Sequence, residues 1–249
     1  MKKHIHHTQA TSTNTLIREM LQENPNLPAF FVVSAGFQTS GRGQRQNVWE
    51  SEQDKNLLFS LLLRPQTIPA TKAFVVSQIV SVAIANILSR YIKNIAIKWP
   101  NDIYCGDKKI CGILIENSLM GNNLNTSIVG VGININQTEF SPFLPNPTSL
   151  AILTQQTYCL QDILEEVVCE IEQQYQNYVR EGEEEISVLY HSLLYRLNSL
   201  SKYKIDSEDN IQEATIIGVE PNGCLKLKHA DDTIHSYAFK EVEYIIINT

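Results

Sequence analysis

Downstream of Thr11-Ser-Thr-Asn14, apolar side chains fall at Leu16, Ile17, Met20 and Leu21. That three-and-four spacing predicts an amphipathic helix with Ser12 or Thr13 as its N-cap. Asn24-Pro-Asn-Leu-Pro28 breaks it. Residues 29–35 and 56–63 are short apolar runs rich in Phe, Val and Leu between loop signals, the pattern of buried strands. Residues 70–92 hold no Gly or Pro and are apolar over too long a stretch for a strand, so they predict a mostly buried helix. Further strands are predicted at 95–99, 109–116 and 126–134, with Pro100-Asn101 ending the first and Cys105-Gly-Asp-Lys108 supplying a hairpin turn into the second. Lys98, Asp102 and Lys109 then fall near the ends of neighbouring strands, where loops converge.

Pro142, Pro145 and Pro147 mark a break before a helical region at 160–200, in which Ile163, Val167, Ile171, Tyr175 and Tyr178 recur every three or four residues. Beyond Ser201 the pattern changes to short strands at 213–219, 224–229, 233–238 and 242–247, with a turn at Pro221-Asn-Gly223. The order of elements predicts an α+β protein divided at residue 200: a larger domain over 1–200 and a small all-β appendage over 201–249.

Composition narrows the class. A chain of 249 residues with 43% hydrophobic and 19% charged content is ordinary for a soluble globular protein with a proper core. Cys105, Cys111, Cys159, Cys169 and Cys224 lack paired metal-type spacing, so they read as reduced thiols of a cytoplasmic protein. No apolar run reads as a membrane span of ~20 residues, and the N-terminus lacks the apolar segment of a secretory signal. A formal charge of −7 argues against general nucleic-acid binding, so any anion site must be local. His4, His6 and His7 read as a strand edge or frayed start rather than a metal site. The acidic stretch at 181–185 reads as a solvated helix end or loop.

The segment 39–51 suits neither helix nor strand, and it carries Gly41, Arg42, Gly43, Arg45 and Trp49. It is either a loop whose main-chain N–H groups and arginines converge on an anion beneath Trp49, or a surface turn with solvated arginines. Lys109 stands at the mouth of a buried strand, where a surface charge and an anion-binding ammonium both fit, and only position separates it from Lys108. Asn101 and Asp102 are turn formers after Pro100 or polar groups of a site. Asn134 and Asn136 end a strand or line a ligand. Ser12 and Thr13 are helix caps, pocket hydroxyls, or both. Cys111, by alternation on its strand, belongs to the core.

Thr11-Ser-Thr-Asn14, the Gly-Arg-Gly loop, Lys98-Trp-Pro-Asn-Asp102 and Lys109-Ile-Cys-Gly-Ile-Leu-Ile-Glu116, followed by Gly130-Val-Gly-Ile-Asn-Ile-Asn136, together resemble the biotin protein ligase family. The likeness is strong up to about residue 140 and weak beyond it. It implies a mixed-sheet catalytic domain of the biotin/lipoate ligase type with a small C-terminal SH3-like β barrel. The implied reaction activates biotin with ATP and Mg²⁺ as biotinyl-5′-AMP and passes it to a lysine of a biotin carboxyl carrier domain of a biotin-dependent carboxylase. The resemblance sets Ser12, Thr13, Gln38, Gly41, Arg42, Lys109 and Gly112 against biotin. It sets Gly43, Gln44, Arg45, Trp49, Asn101 and Asn134 against ATP or the adenylate. Lys109, Arg42 and Asp102 fall at the reacting atoms, and no resident metal site is implied.

Two positions depart from the pattern: the family usually carries arginine where this chain has Gln44, and often glycine where it has Gln46. A lipoate or octanoate ligase or transferase of the same fold, and a catalytically weak biotin binder, are the alternatives. A biotin-sensing DNA-binding repressor is disfavoured by the acidic charge and by the ten residues that precede Thr11. The expected partners are biotin, ATP and the carrier domain, without DNA or membrane, and a homodimer is left open.

Overall fold

The computed structural model describes residues 3–44, 47–205 and 210–246. Its centre is β3 (Leu57–Leu63), all seven residues of which are buried. Alternation along this strand feeds two cores. Leu57, Phe59, Leu61 and Leu63 enter the larger one, whereas Leu62 meets Phe31, Val33, Ile128 and Ile17 in the smaller. Around β3 a seven-stranded sheet runs β1-β2-β3-β7-β6-β5-β4. Here β1 is Lys3–Ala10, β2 Phe31–Gln38, β4 Ile95–Lys98, β5 Asp102–Cys105, β6 Lys108–Met120 and β7 Asn123–Ile133. β1 pairs parallel with β2 and the other neighbours are antiparallel, so the sheet is mixed.

Helix α1 (Thr13–Glu23) covers one face, with Ile17 in the smaller core. The other face carries α2 (Phe74–Leu88), and α4 (Leu160–Glu181) and α5 (Glu183–Ser192) pack on α2; the one-turn α3 (Leu150–Thr154) precedes them. From Val75 to Leu88 every residue of α2 except Asn86 is buried. Each fully buried Val or Ile contributes about 1.5–3 kcal/mol, so packing rather than helix propensity holds α2 in place. With its preceding turn, the 19-residue stretch Ala70–Leu88 matches a bilayer span in length and hydropathy, contrary to the sequence reading. Its burial between the sheet and α4 makes it a core helix.

A second sheet, entirely antiparallel, runs β11-β10-β9-β8-β12, formed by β8 (Leu200–Ile205), β9 (Ile211–Val219), β10 (Leu225–His229), β11 (Ile234–Tyr237) and β12 (Val242–Tyr244). Trp99, at the end of β4, ties it to the first sheet. Its indole N–H donates to the Gly223 carbonyl at 2.9 Å and its ring meets Phe239 edge-on at 6.0 Å.

The predicted strands and helices are present, and β1, with His4, His6 and His7, is an edge strand as read. The differences are these: β8 was not predicted, and the helical region ends at Ser192 instead of 200. β5 is only four residues long, so the Cys105-Gly-Asp-Lys108 hairpin joins β5, not β4, to β6. Gly182, at φ 88°, divides the long helical region into α4 and α5.

Candidate active site

The N-terminus of α1, the end of β2, the 41–49 loop, strands β4 to β7 and the second sheet enclose one cavity of 380 Å³. At its inner end Gln38 does the work of a helix cap: its Oε1 accepts from Thr13 N at 2.7 Å and Thr13 Oγ1 at 3.1 Å. Ser12, the N-cap residue, is therefore buried without a side-chain cap bond, and its hydroxyl faces the cavity. Ser60 Oγ lies 2.7 Å from Thr13 Oγ1 and 2.5 Å from Asn14 Oδ1. These groups alternate donors and acceptors along one wall.

Across the floor, the Cα register aligns Lys98 with Asp102, Asp102 with Gly112 and Gly112 with Gly132. One row of residues thus crosses β4, β5, β6 and β7. Its two glycines are demanded by Trp49, whose indole lies flat on them: a Cβ at Gly132 would sit 2.4 Å from the ring, and one at Gly112 2.8 Å. The indole N–H is buried without a partner. Gly130 makes the same allowance for Asn14, whose Oδ1 a Cβ would meet at 2.4 Å.

Lys109 Nζ ion-pairs with Asp102 Oδ1 at 2.8 Å and lies 5.7 Å from the Trp49 ring centroid. Its main chain is fixed on both sides, Lys109 N donating to the Asn146 carbonyl at 2.8 Å and the Lys109 carbonyl accepting from Thr148 N at 2.9 Å. Lys108, one residue earlier, is exposed in the hairpin and takes no part in the cavity. Cys111 is fully buried, and burial pushes its thiol up, so it is an inert core residue.

The loop closes as a miniature hairpin. Arg42 bridges Val48, Gly43 N donates to the Asn47 carbonyl at 2.6 Å, and Trp49 N donates to the Gly41 carbonyl at 3.0 Å. Neither Gly41 nor Gly43 has positive φ. Gly41 is needed for space instead, because a Cβ there would meet the Trp49 carbonyl at 2.5 Å. The Gly43 N–H is turned inward, so converging main-chain donors are not seen at that residue. Arg42 and Gln44 line the cavity; Arg45 and Gln46 lie outside the described residues.

Of the two asparagines set against the adenylate, one lines the cavity and one does not. Asn101 lines the cavity but its amide donates to the Ile113 carbonyl, pinning β5 to β6. Asn134 is not brought to the cavity: its amide donates to the Thr148 carbonyl at 2.9 Å and braces β7 against the 145–149 segment.

Sequence reasoning missed Glu116, which gathers Asn14 (2.8 Å), Arg18 (2.7 Å) and both Nη atoms of Arg42 (3.3 Å each). It placed Lys98 where loops converge without giving it a role, and it missed Tyr104, Phe239 and Tyr244 at the opposite end. The signal for Glu116 was its place at period two from Leu114 on the strand that carries Lys109. Phe239 and Tyr244 had none, because a docked second sheet brings them in.

Hydroxyl and amide groups, a lysine–carboxylate pair and Arg42 line one cavity, a set of groups suited to joining a carboxylate to a phosphate, as in a carboxylate-activating ligase. The model of the Biotin/lipoate A/B protein ligase family matches residues 7–134, just over half of the chain, and the chain belongs to that family. It is 29% identical over 228 residues to the bifunctional ligase/repressor BirA of Bacillus subtilis, covering 90% of this chain and 69% of that protein. It is 33% identical over 126 residues to the biotin--[acetyl-CoA-carboxylase] ligase of Paracoccus denitrificans, covering 49% of this chain and 52% of that one. Among solved structures, the biotin protein ligase from Aquifex aeolicus in complex with biotin and ATP superposes with a TM-score of 0.78 at 24% identity, covering 98% of each chain. That likeness extends the shared fold over the second sheet.

Proposed function

We propose that this chain activates biotin with MgATP as biotinyl-5′-AMP and transfers the biotinyl group to a lysine of a biotin carboxyl carrier domain. The observation that carries the reading is the Lys109–Asp102 pair, seated beside Trp49 in the cavity that Ser12, Thr13, Gln38 and Arg42 also line. In the first step a biotin carboxylate oxygen bonds to the α-phosphorus of ATP, and the bond to the bridging oxygen breaks with its electron pair leaving on pyrophosphate. Two anions must meet, so the ammonium of Lys109 and the guanidinium of Arg42 cancel their repulsion and the charge growing on the phosphoryl oxygens. Ser12, Thr13 and Gln38 present donors and acceptors to the ureido ring.

In the second step the acceptor amine attacks the carbonyl carbon and AMP leaves. Asp102, a carboxylate at the cavity wall, orients that amine and takes its proton. No group of three His, Cys, Asp or Glu side chains among the described residues could hold a metal. Mg²⁺ would arrive on the triphosphate and keep several of its waters. Catalysis is by positioning and charge, with no enzyme nucleophile.

The test is exchange of labelled pyrophosphate into ATP, measured with biotin, lipoate, octanoate or no acid, followed by transfer to a purified carrier domain. Exchange that requires biotin supports the reading; exchange driven only by lipoate or octanoate replaces it with the alternative acid.

A further inference from the structure

Lys98 has no role in the reaction described above, yet it lines the same cavity at the end formed by the second sheet. Its ammonium lies 4.5 Å from the ring centroid of Tyr244 and 5.4 Å from that of Tyr104. Two aromatic faces hold a cation in place without neutralising it. Among the described residues no carboxylate pairs with it. Of the two acids nearest in effect, Asp102 is ion-paired with Lys109 at 2.8 Å, and Glu243 lies 3.7 Å from Lys204. Burial lowers the Lys98 pKa; the charge of Lys109 lowers it further, and Asp102 and Glu243 act the other way. A half-buried, unpaired cation in a substrate cavity is suited to an anion that comes and goes.

The direction of the reaction says which anion. In-line transfer puts the attacking and leaving oxygens on opposite sides of the α-phosphorus. The hydroxyl-lined end, built from α1, β3 and β7, lies on one side of Lys109 and Asp102, and Lys98 on β4 ends the register row on the other. Lys98 is two strands beyond Gly112, a span of about 10 Å. Resting on the ligase reading, we propose that Lys98 binds the β- and γ-phosphates of ATP and the pyrophosphate that leaves. Tyr104 and Tyr244 act as positioning residues for its ammonium.

Lys98→Gln and Lys98→Met are both made, so that one folded variant suffices. Three quantities are measured: half-saturating ATP and pyrophosphate in the exchange reaction, biotin affinity without nucleotide, and the rate of transfer from synthetic biotinyl-5′-AMP to a carrier domain. Loss of one charge-assisted contact should raise both half-saturating concentrations about tenfold or more. Biotin affinity and transfer from the ready-made adenylate should stay within about twofold, because neither involves the β- and γ-phosphates, and Lys98→Arg should recover part of the pyrophosphate affinity. Unchanged pyrophosphate and ATP saturation overturns the proposal. So does an equal loss in adenylate transfer, which would make Lys98 a structural or acceptor-side residue. Wild-type protein that shows no acid-dependent exchange at all would sink the ligase reading itself.

Discussion

Lys108 and Lys109 are chemically identical neighbours, and only the register of β6 separates them. It exposes the first in a hairpin and aims the second at Asp102 and Trp49. Lys109→Ala should therefore lower biotin-dependent pyrophosphate exchange by about 10²-fold, the usual cost of removing a donor that stabilises developing charge, while Lys108→Ala leaves it unchanged. Near-normal exchange in Lys109→Ala would remove that residue from its role. Arg42 is a different case, because Glu116 engages it bidentately while also holding Arg18 and Asn14. The substrate carboxylate must draw Arg42 away from this carboxylate, which Gln44 can assist only with neutral hydrogen bonds. Charge-assisted bonds are about twice as strong, so Gln44→Arg should slow release of biotinyl-5′-AMP by about threefold or more in a filter-binding off-rate measurement. An unchanged off-rate would show that position 44 does not touch the adenylate.

Elements built on a clear period were legible in the chain, and those defined by partners were not. α2 announces itself through residues that are apolar all round, and β3 through an unbroken apolar run; both positions dictate burial on every side. β5 has four residues and no periodicity to read, yet it delivers Asp102 to Lys109. Of the candidate site, Ser12, Thr13, Gln38, Arg42, Trp49, Asp102, Lys109 and Gly112 do line one cavity. Asn101 lines it too, whereas Asn134 lies outside it, and each spends its amide N–H on a main-chain carbonyl, as readily as on a ligand. The glycine floor was invisible for the opposite reason, since a missing side chain matters only once Trp49 lies on it. Gly132→Ala should lift the indole from β6 and β7, overpacking that costs about 1–3 kcal/mol if it stays. The check is Trp fluorescence: the only other tryptophan, Trp99, is buried, so a red-shifted emission in Gly132→Ala that vanishes in the double variant with Trp49→Phe reports the displaced loop. An unshifted spectrum would mean that Trp49 does not rest on that floor.

Two sheets share the work of this molecule, and Lys98 stands where they meet, between Tyr104 of the first and Tyr244 of the second. A cation at that junction has a cost that can be measured on the whole fold. Its pKa in the folded protein lies below 10.5, first because burial penalises the charged form. Between those two values the unfolded chain binds more protons than the folded one, so stability rises with pH across that window. Below the folded value, the penalty is present in full. Lys98→Met has a similar length and no charge, so it should be more stable than wild type near neutral pH. Its advantage should shrink between neutral pH and pH 10.5, as the wild-type ammonium loses its proton. Urea midpoints of the two proteins at both pH values decide the matter. If the variant is less stable at neutral pH, the two tyrosine rings compensate the desolvated charge, and Lys98 is part of what holds the second sheet in place. If it is more stable, yet weaker for pyrophosphate, the charge is kept for the reaction at the expense of the fold.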